Sequence, residues 1–124
     1  MRGALVGVAA AGLMFGSAQA AEADAFQLRN FGDLATLCGA GDGVAYQAEA
    51  LALCRGYILG AGSLYLELVR AGRIKAWACA EPTPTVDQAR LRIVEWAKAN
   101  PSSHGEQAID GLWRAAASIW PCKN

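Results

Sequence analysis

An all-α fold, a compact antiparallel bundle of about four helices stapled by two disulfides, is what this 124-residue sequence predicts. Three observations point there. Apolar residues recur at helical spacing, while strand-like alternation is scarce. Paired capping residues and well-placed prolines mark helix starts and stops in the second half of the chain. Four cysteines, an even number, all follow an apolar leader of export length.

The leader comes first. Arg2 supplies a positive start, Ala4 to Phe15 is an uncharged apolar run, and Ala18-Gln19-Ala20 offers the small residues that a signal peptidase needs. The run is shorter than the about 20 apolar residues that span a bilayer. Residues 1–20 therefore read as a signal peptide cleaved after Ala20, and residues 21–124 as one exported domain in the periplasm. No later stretch is long and apolar enough to span, so no membrane association is expected after cleavage.

Charge narrows the partners. Eleven basic and eleven acidic residues give a formal net charge of zero, and loss of Arg2 with the leader leaves a slight acidic excess. The charges are scattered, without the basic stripe that neutralises phosphates, so nucleic acid is not expected. Arg70, Arg73 and Lys75 form the one basic cluster. They fall where a helix should end, and cations there complement its dipole.

The first helix is expected over Ala23 to Cys38, with Phe26, Leu34, Leu37 and Cys38 on one face. The glycine-rich run from Gly39 to Gly43 stops it. A long second helix should cover Val44 to Arg70, with Tyr46, Ala50, Leu53, Tyr57, Gly60 or Ala61, Leu64 and Leu68 recurring at helical spacing. Gly56, Gly60 and Gly62 weaken its interior by up to ~1 kcal/mol each. Close approach of another helix at Gly56 and Gly60 is the expected compensation. An irregular connection follows from Ala71 to Pro84. Thr85 with Gln88 makes a capping box for a third helix ending at Asn100 before Pro101. Ser103 with Glu106 makes a second box, for a fourth helix reaching about Trp120 and stopped by Pro121.

Cysteines in a small exported domain read as disulfides. If neighbouring helices are antiparallel, Cys38 meets Cys54 across the glycine turn, and Cys122 returns toward Cys79. This is the favoured pairing among three. There is no Cys-x-x-Cys pair, and His104 is remote from every cysteine in sequence, so neither a metal nor a cofactor is expected.

Catalytic sets are absent. Ser102, Ser103 and His104 lack a glycine elbow and an orienting acid, and a helix-initiating turn explains them better. Disulfide-bonded cysteines are unavailable as nucleophiles. Acidic pairs such as Asp87 with Glu95 read as solvated faces. Trp77, between glycines and prolines, is the tryptophan expected to be an exposed binding anchor.

The run Leu53-Cys54-Arg55-Gly56-Tyr57-Ile58-Leu59-Gly60 resembles the C-x-G-Y-I-x-G signature of the Rap/Tai family, immunity proteins against type VI secretion amidases. Cys79 stands before Gln88 as in the family's C-x-P-x-x-x-T-x-x-Q segment, although Pro82 lies one position later than the family's proline. Asn100-Pro101 and Pro121-Cys122 continue the register, so the resemblance covers about Leu37 to Cys122. It implies a helical periplasmic protein, often a homodimer, that occludes a cell-wall amidase effector without chemistry of its own. No effector-contacting residue carries over with it. From the chain itself, the 71–84 connection with Trp77 and Glu81 is the expected contact surface. The rival reading is a periplasmic stress or chaperone-like protein of similar build.

Overall fold

In the computed structural model, which describes Asp24 and residues 26–123, the chain enters its first helix through Asn30. The Asn30 side chain accepts a hydrogen bond from the Asp33 amide at 2.9 Å. The next open donors of α1 (Phe31–Cys38) are met from afar: Phe31 N–H donates to the Glu106 carbonyl at 2.9 Å and Gly32 N–H to that of His104 at 3.0 Å. These partners fix the start at Phe31, against the expectation of one helix running from Ala23, since residues 26–29 are outside any helix. The expected leader and its cleavage after Ala20 lie outside the described residues.

The second helix, α2 (Gln47–Arg70), begins three residues later than expected and ends as expected. Its buried face carries Ala50, Cys54 and Tyr65, with Tyr57, Ile58 and Ala61 packed against the core. The early part of the expected face is present, but its last positions are displaced: Leu64 is 55% exposed and Tyr65 is buried. A strict seven-residue spacing drifts by about 20° per heptad on a straight helix. Over this length the seam passes from one residue to the next.

Two further helices complete the bundle, α3 (Val86–Ala99) and α4 (Ala108–Ile119), joined through a 3₁₀ turn at Pro101–Ser103. The Thr85–Gln88 capping box forms in full. The Ser103–Glu106 box does not. Pro101 opens the 3₁₀ turn, Ser103 is buried in it, and α4 starts only after Gln107, which gives no side-chain cap. Glu106 instead pairs with Arg114 at 3.1 Å.

Phe31, Leu34 and Ile93 form the centre of the core, with Leu112 and Ala115 of α4 closing it. The close approach that glycine permits occurs between α1 and α4. A Cβ at Gly111 would overlap the Phe31 side chain, whereas one at Gly56 or Gly60 would meet nothing within 4 Å. The expected helix contact at Gly56 and Gly60 is therefore not made among the described residues. Both disulfides form as favoured, Cys38 with Cys54 and Cys79 with Cys122. The first ties α1 to α2, and the second ties the 71–84 connection to the end of the chain. No helix among the described residues is long and apolar enough to cross a membrane.

Candidate partner-binding face

The 71–84 connection is clamped at several points along its length. Gly72 takes a left-handed conformation (φ 65°), so its N–H reaches the Val69 carbonyl at 3.0 Å and that of Arg73 reaches Leu68 at 2.9 Å. This double closure ends α2 and needs a residue without a Cβ. Next, the Tyr65 hydroxyl accepts from the Trp77 and Ala78 amides at 3.0 and 3.1 Å and donates to the Ala78 carbonyl at 2.9 Å. The Cys79 amide then donates to the Trp120 carbonyl at 2.7 Å, beside an antiparallel bridge between Ala78 and Pro121 and the Cys79–Cys122 disulfide. A cis peptide at Glu81–Pro82 turns the chain toward Thr85.

This anchoring separates the two residues singled out in the sequence. Trp77 is half-buried, its ring 4.5 Å from that of Tyr65 and 5.5 Å from that of Trp113. It is thus a packing residue and not the exposed anchor expected. The two amides fixed by Tyr65 hold its backbone against α2, and three aromatic rings bury more area together than one ring extended into water. Glu81 stays on the surface.

Behind Trp77 lies an apolar cleft of about 140 Å³ between α2, α3 and α4, walled by Ile58, Tyr65, Trp113 and Trp120 above Ile93 and Leu112. The Trp113 indole N–H is buried without a hydrogen-bond partner among the described residues. A wider, shallower groove of about 380 Å³ opens next to Glu81, between Pro82–Pro84 and the outer side of α3, with Leu91, Arg92 and Trp120 along it. Leu91 is 54% exposed. An exposed leucine and a guanidinium on α3, beside a carboxylate on the disulfide-tethered connection, give a mixed surface on a fixed support. Such a surface loses little entropy when covered. Sequence reading missed Leu91 and Arg92 because they lie on a helix whose apolar set points elsewhere, so nothing marks them as more than solvated.

Catalytic groups do not converge on this face. Ser103 is buried in the turn, and the His104 ring meets the Ala97 carbonyl through Nε2 at 2.8 Å and packs edge-on to Phe31. No group of three or more histidine, cysteine, aspartate or glutamate side chains among the described residues is placed to hold a metal ion.

A family model describing Rap1a immunity proteins matches residues 30–122. The chain belongs to the Rap1a immunity family. No curated protein and no solved structure matches it. The Rap1a match opens on Asn30, the cap of α1, and closes on Cys122, the last disulfide partner. It therefore takes in every helix and both staples described above. Membership implies that the chain binds a secreted effector as its immunity partner.

Proposed function

We propose that this Rap1a-family protein resides in the periplasm and protects its cell by binding and occluding a peptidoglycan amidase delivered by type VI secretion. The family match over residues 30–122 carries the immunity reading. Two disulfides, whose bonds persist in oxidising compartments, support an exported location. The amidase is the target that the Leu53–Gly60 signature suggests. The surface offered to it is the tethered turn from Glu81 to Pro84 with Leu91 and Arg92 of α3 beside it. A plug of this kind needs a rigid projection and a few central anchors, not chemistry.

The test is inhibition. The protein is titrated against each small peptidoglycan amidase encoded in the same genome, with cleavage of cell-wall stem peptides as the readout. One effector should be inhibited stoichiometrically and the others spared. Glu81→Arg combined with Leu91→Asp should weaken inhibition by more than about tenfold, equivalent to ~1.4 kcal/mol, while both residues' exposure leaves the melting temperature near the parent's. Trp77 is unsuited to this test, because truncating it would open the aromatic stack. If no amidase is bound at micromolar concentration, the target assignment fails.

A further inference from the structure

The two disulfides sit in opposite surroundings. Cys38 and Cys54 are both 0% exposed and belong to the core with Phe31, Leu34 and Ile93. Cys79 lies on the surface with Cys122 partly exposed, and neither belongs to that core. A disulfide opens when a thiolate reaches one of its sulfurs, so access decides which bond reacts first. The outer bond also holds something that the inner one does not. Beyond α4, the chain is tied back by the Cys79 amide donating to the Trp120 carbonyl at 2.7 Å and by the Trp120 amide donating to that of Ala116 at 2.9 Å. Trp120 is a wall of the apolar cleft and of the groove beside Pro82–Pro84. The Cys79–Cys122 bond is the covalent restraint that sets this wall against the 71–84 connection.

We propose that Cys79–Cys122 is a reducible latch on the partner-binding face, opened by a dithiol while Cys38–Cys54 stays closed. One thiolate of the dithiol attacks Sγ of Cys79, the more exposed residue of the pair, and Cys122 leaves as a thiolate. The second thiol of the dithiol then displaces Cys79. The dithiol departs as a disulfide, and its two protons pass to the two cysteines. The helices keep both their core and the tie between α1 and α2. The Trp120 wall and the Glu81–Pro84 turn lose the bond that fixes one against the other, and ordering them again under a partner costs entropy. Opening of the latch is independent of any effector, whereas its effect on affinity rests on the occlusion reading above.

Timed reduction of the oxidised protein by dithiothreitol under native conditions tests the latch without an effector, with alkylation and peptide mass spectrometry at each time point. Cys79 and Cys122 should be labelled at least about tenfold sooner than Cys38 and Cys54. In the species reduced at one bond, hydrogen exchange should quicken at the Cys79 amide and stay slow in α1. Labelling of all four cysteines together, or of Cys38 and Cys54 first, would overturn the proposal. So would a Cys79 amide that exchanges no faster after reduction. An amidase inhibited by the oxidised protein should be held more than about tenfold less tightly by the singly reduced form. Equal inhibition by the two forms would overturn the link to binding, even with the labelling order as expected. Failure of the oxidised protein to inhibit any amidase would instead overturn the occlusion reading.

Discussion

Arg90 of α3 donates through Nη1 to the backbone carbonyl of Cys38 at 2.6 Å, reaching the last residue of α1 across the bundle. Its Nε donates to Asp87 at 3.1 Å, and Asp87 also receives both ends of the Arg55 guanidinium of α2 at 2.9 and 3.2 Å. One carboxylate thus organises two arginines beside the Cys38–Cys54 disulfide, and three helices meet through it.

This arrangement should make stability sensitive to acid. Hydrogen bonds from Arg55, then from Arg90, hold the Asp87 carboxyl below its ordinary range. A carboxyl with a depressed folded-state pKa contributes stability that is present above the unfolded value of about 3.9 and is lost as pH falls through the folded value. Asp87 is half-exposed, so water screens the contribution. Urea midpoints measured from pH 6 down to pH 2 should fall less steeply for Asp87→Asn than for the parent. Parallel curves would show that the bridge contributes nothing to folding.

The glycines give opposite expectations. Gly111→Ala drives a methyl into Phe31, which is fully buried and cannot retreat, so it should destabilise by at least ~1–3 kcal/mol. Gly60→Ala meets open space and should stabilise the protein by up to ~1 kcal/mol. Denaturant midpoints of the two variants decide the matter.

Tyr65 should matter more than its single hydroxyl suggests. Tyr65→Phe keeps the ring stacked on Trp77 but removes the acceptor shared by two amides and the donor to Ala78. A cost of about 1–3 kcal/mol is expected for the groups left unpaired. Hydrogen exchange at the Trp77 and Ala78 amides should accelerate well beyond that of amides in α3. Equal acceleration everywhere would mean global loosening and no local clamp.

Both disulfides should weigh heavily. Their sequence separations of 16 and 43 residues correspond to about 3 and about 4 kcal/mol in the chain-entropy model. Reduction should therefore lower the melting temperature by well over ten degrees, since ~1 kcal/mol shifts a domain of this size by several degrees. Mass spectrometry of the native protein should find no free thiols.

Much of this fold was legible because its signals are local. The Thr85–Gln88 box, the stop at Asn100-Pro101 and the antiparallel order that brings each cysteine pair together all follow from short-range chemistry. What escaped depends on distant partners. The start of α1 is set by carbonyls of Glu106 and His104, seventy residues and more along the chain. Ser103 and Glu106 have capping spacing, but Pro101 drew the first into a 3₁₀ turn and Arg114 drew the second aside. Trp77 looked like a free anchor because a sequence does not display the Tyr65 hydroxyl beneath it. The proposed Glu81–Leu91–Arg92 surface carries no periodic signal, because these residues are exposed and do not pack in the core.

The order of the cysteines has a consequence for how the molecule is made. Cys38 joins Cys54 and Cys79 joins Cys122, so the closed loops follow one another without nesting or crossing. A chain threaded through a translocation pore from its amino end presents its thiols in that same succession. An oxidase that links each newly emerged thiol to the one waiting before it makes both correct bonds at first attempt, and no slow reshuffling is required. On the proposed export route, the first ring can close while α3 and α4 are still on the far side of the membrane. Maturation then needs an oxidase alone, without an isomerase, and a cell lacking the isomerase should accumulate as much active protein as one that has it.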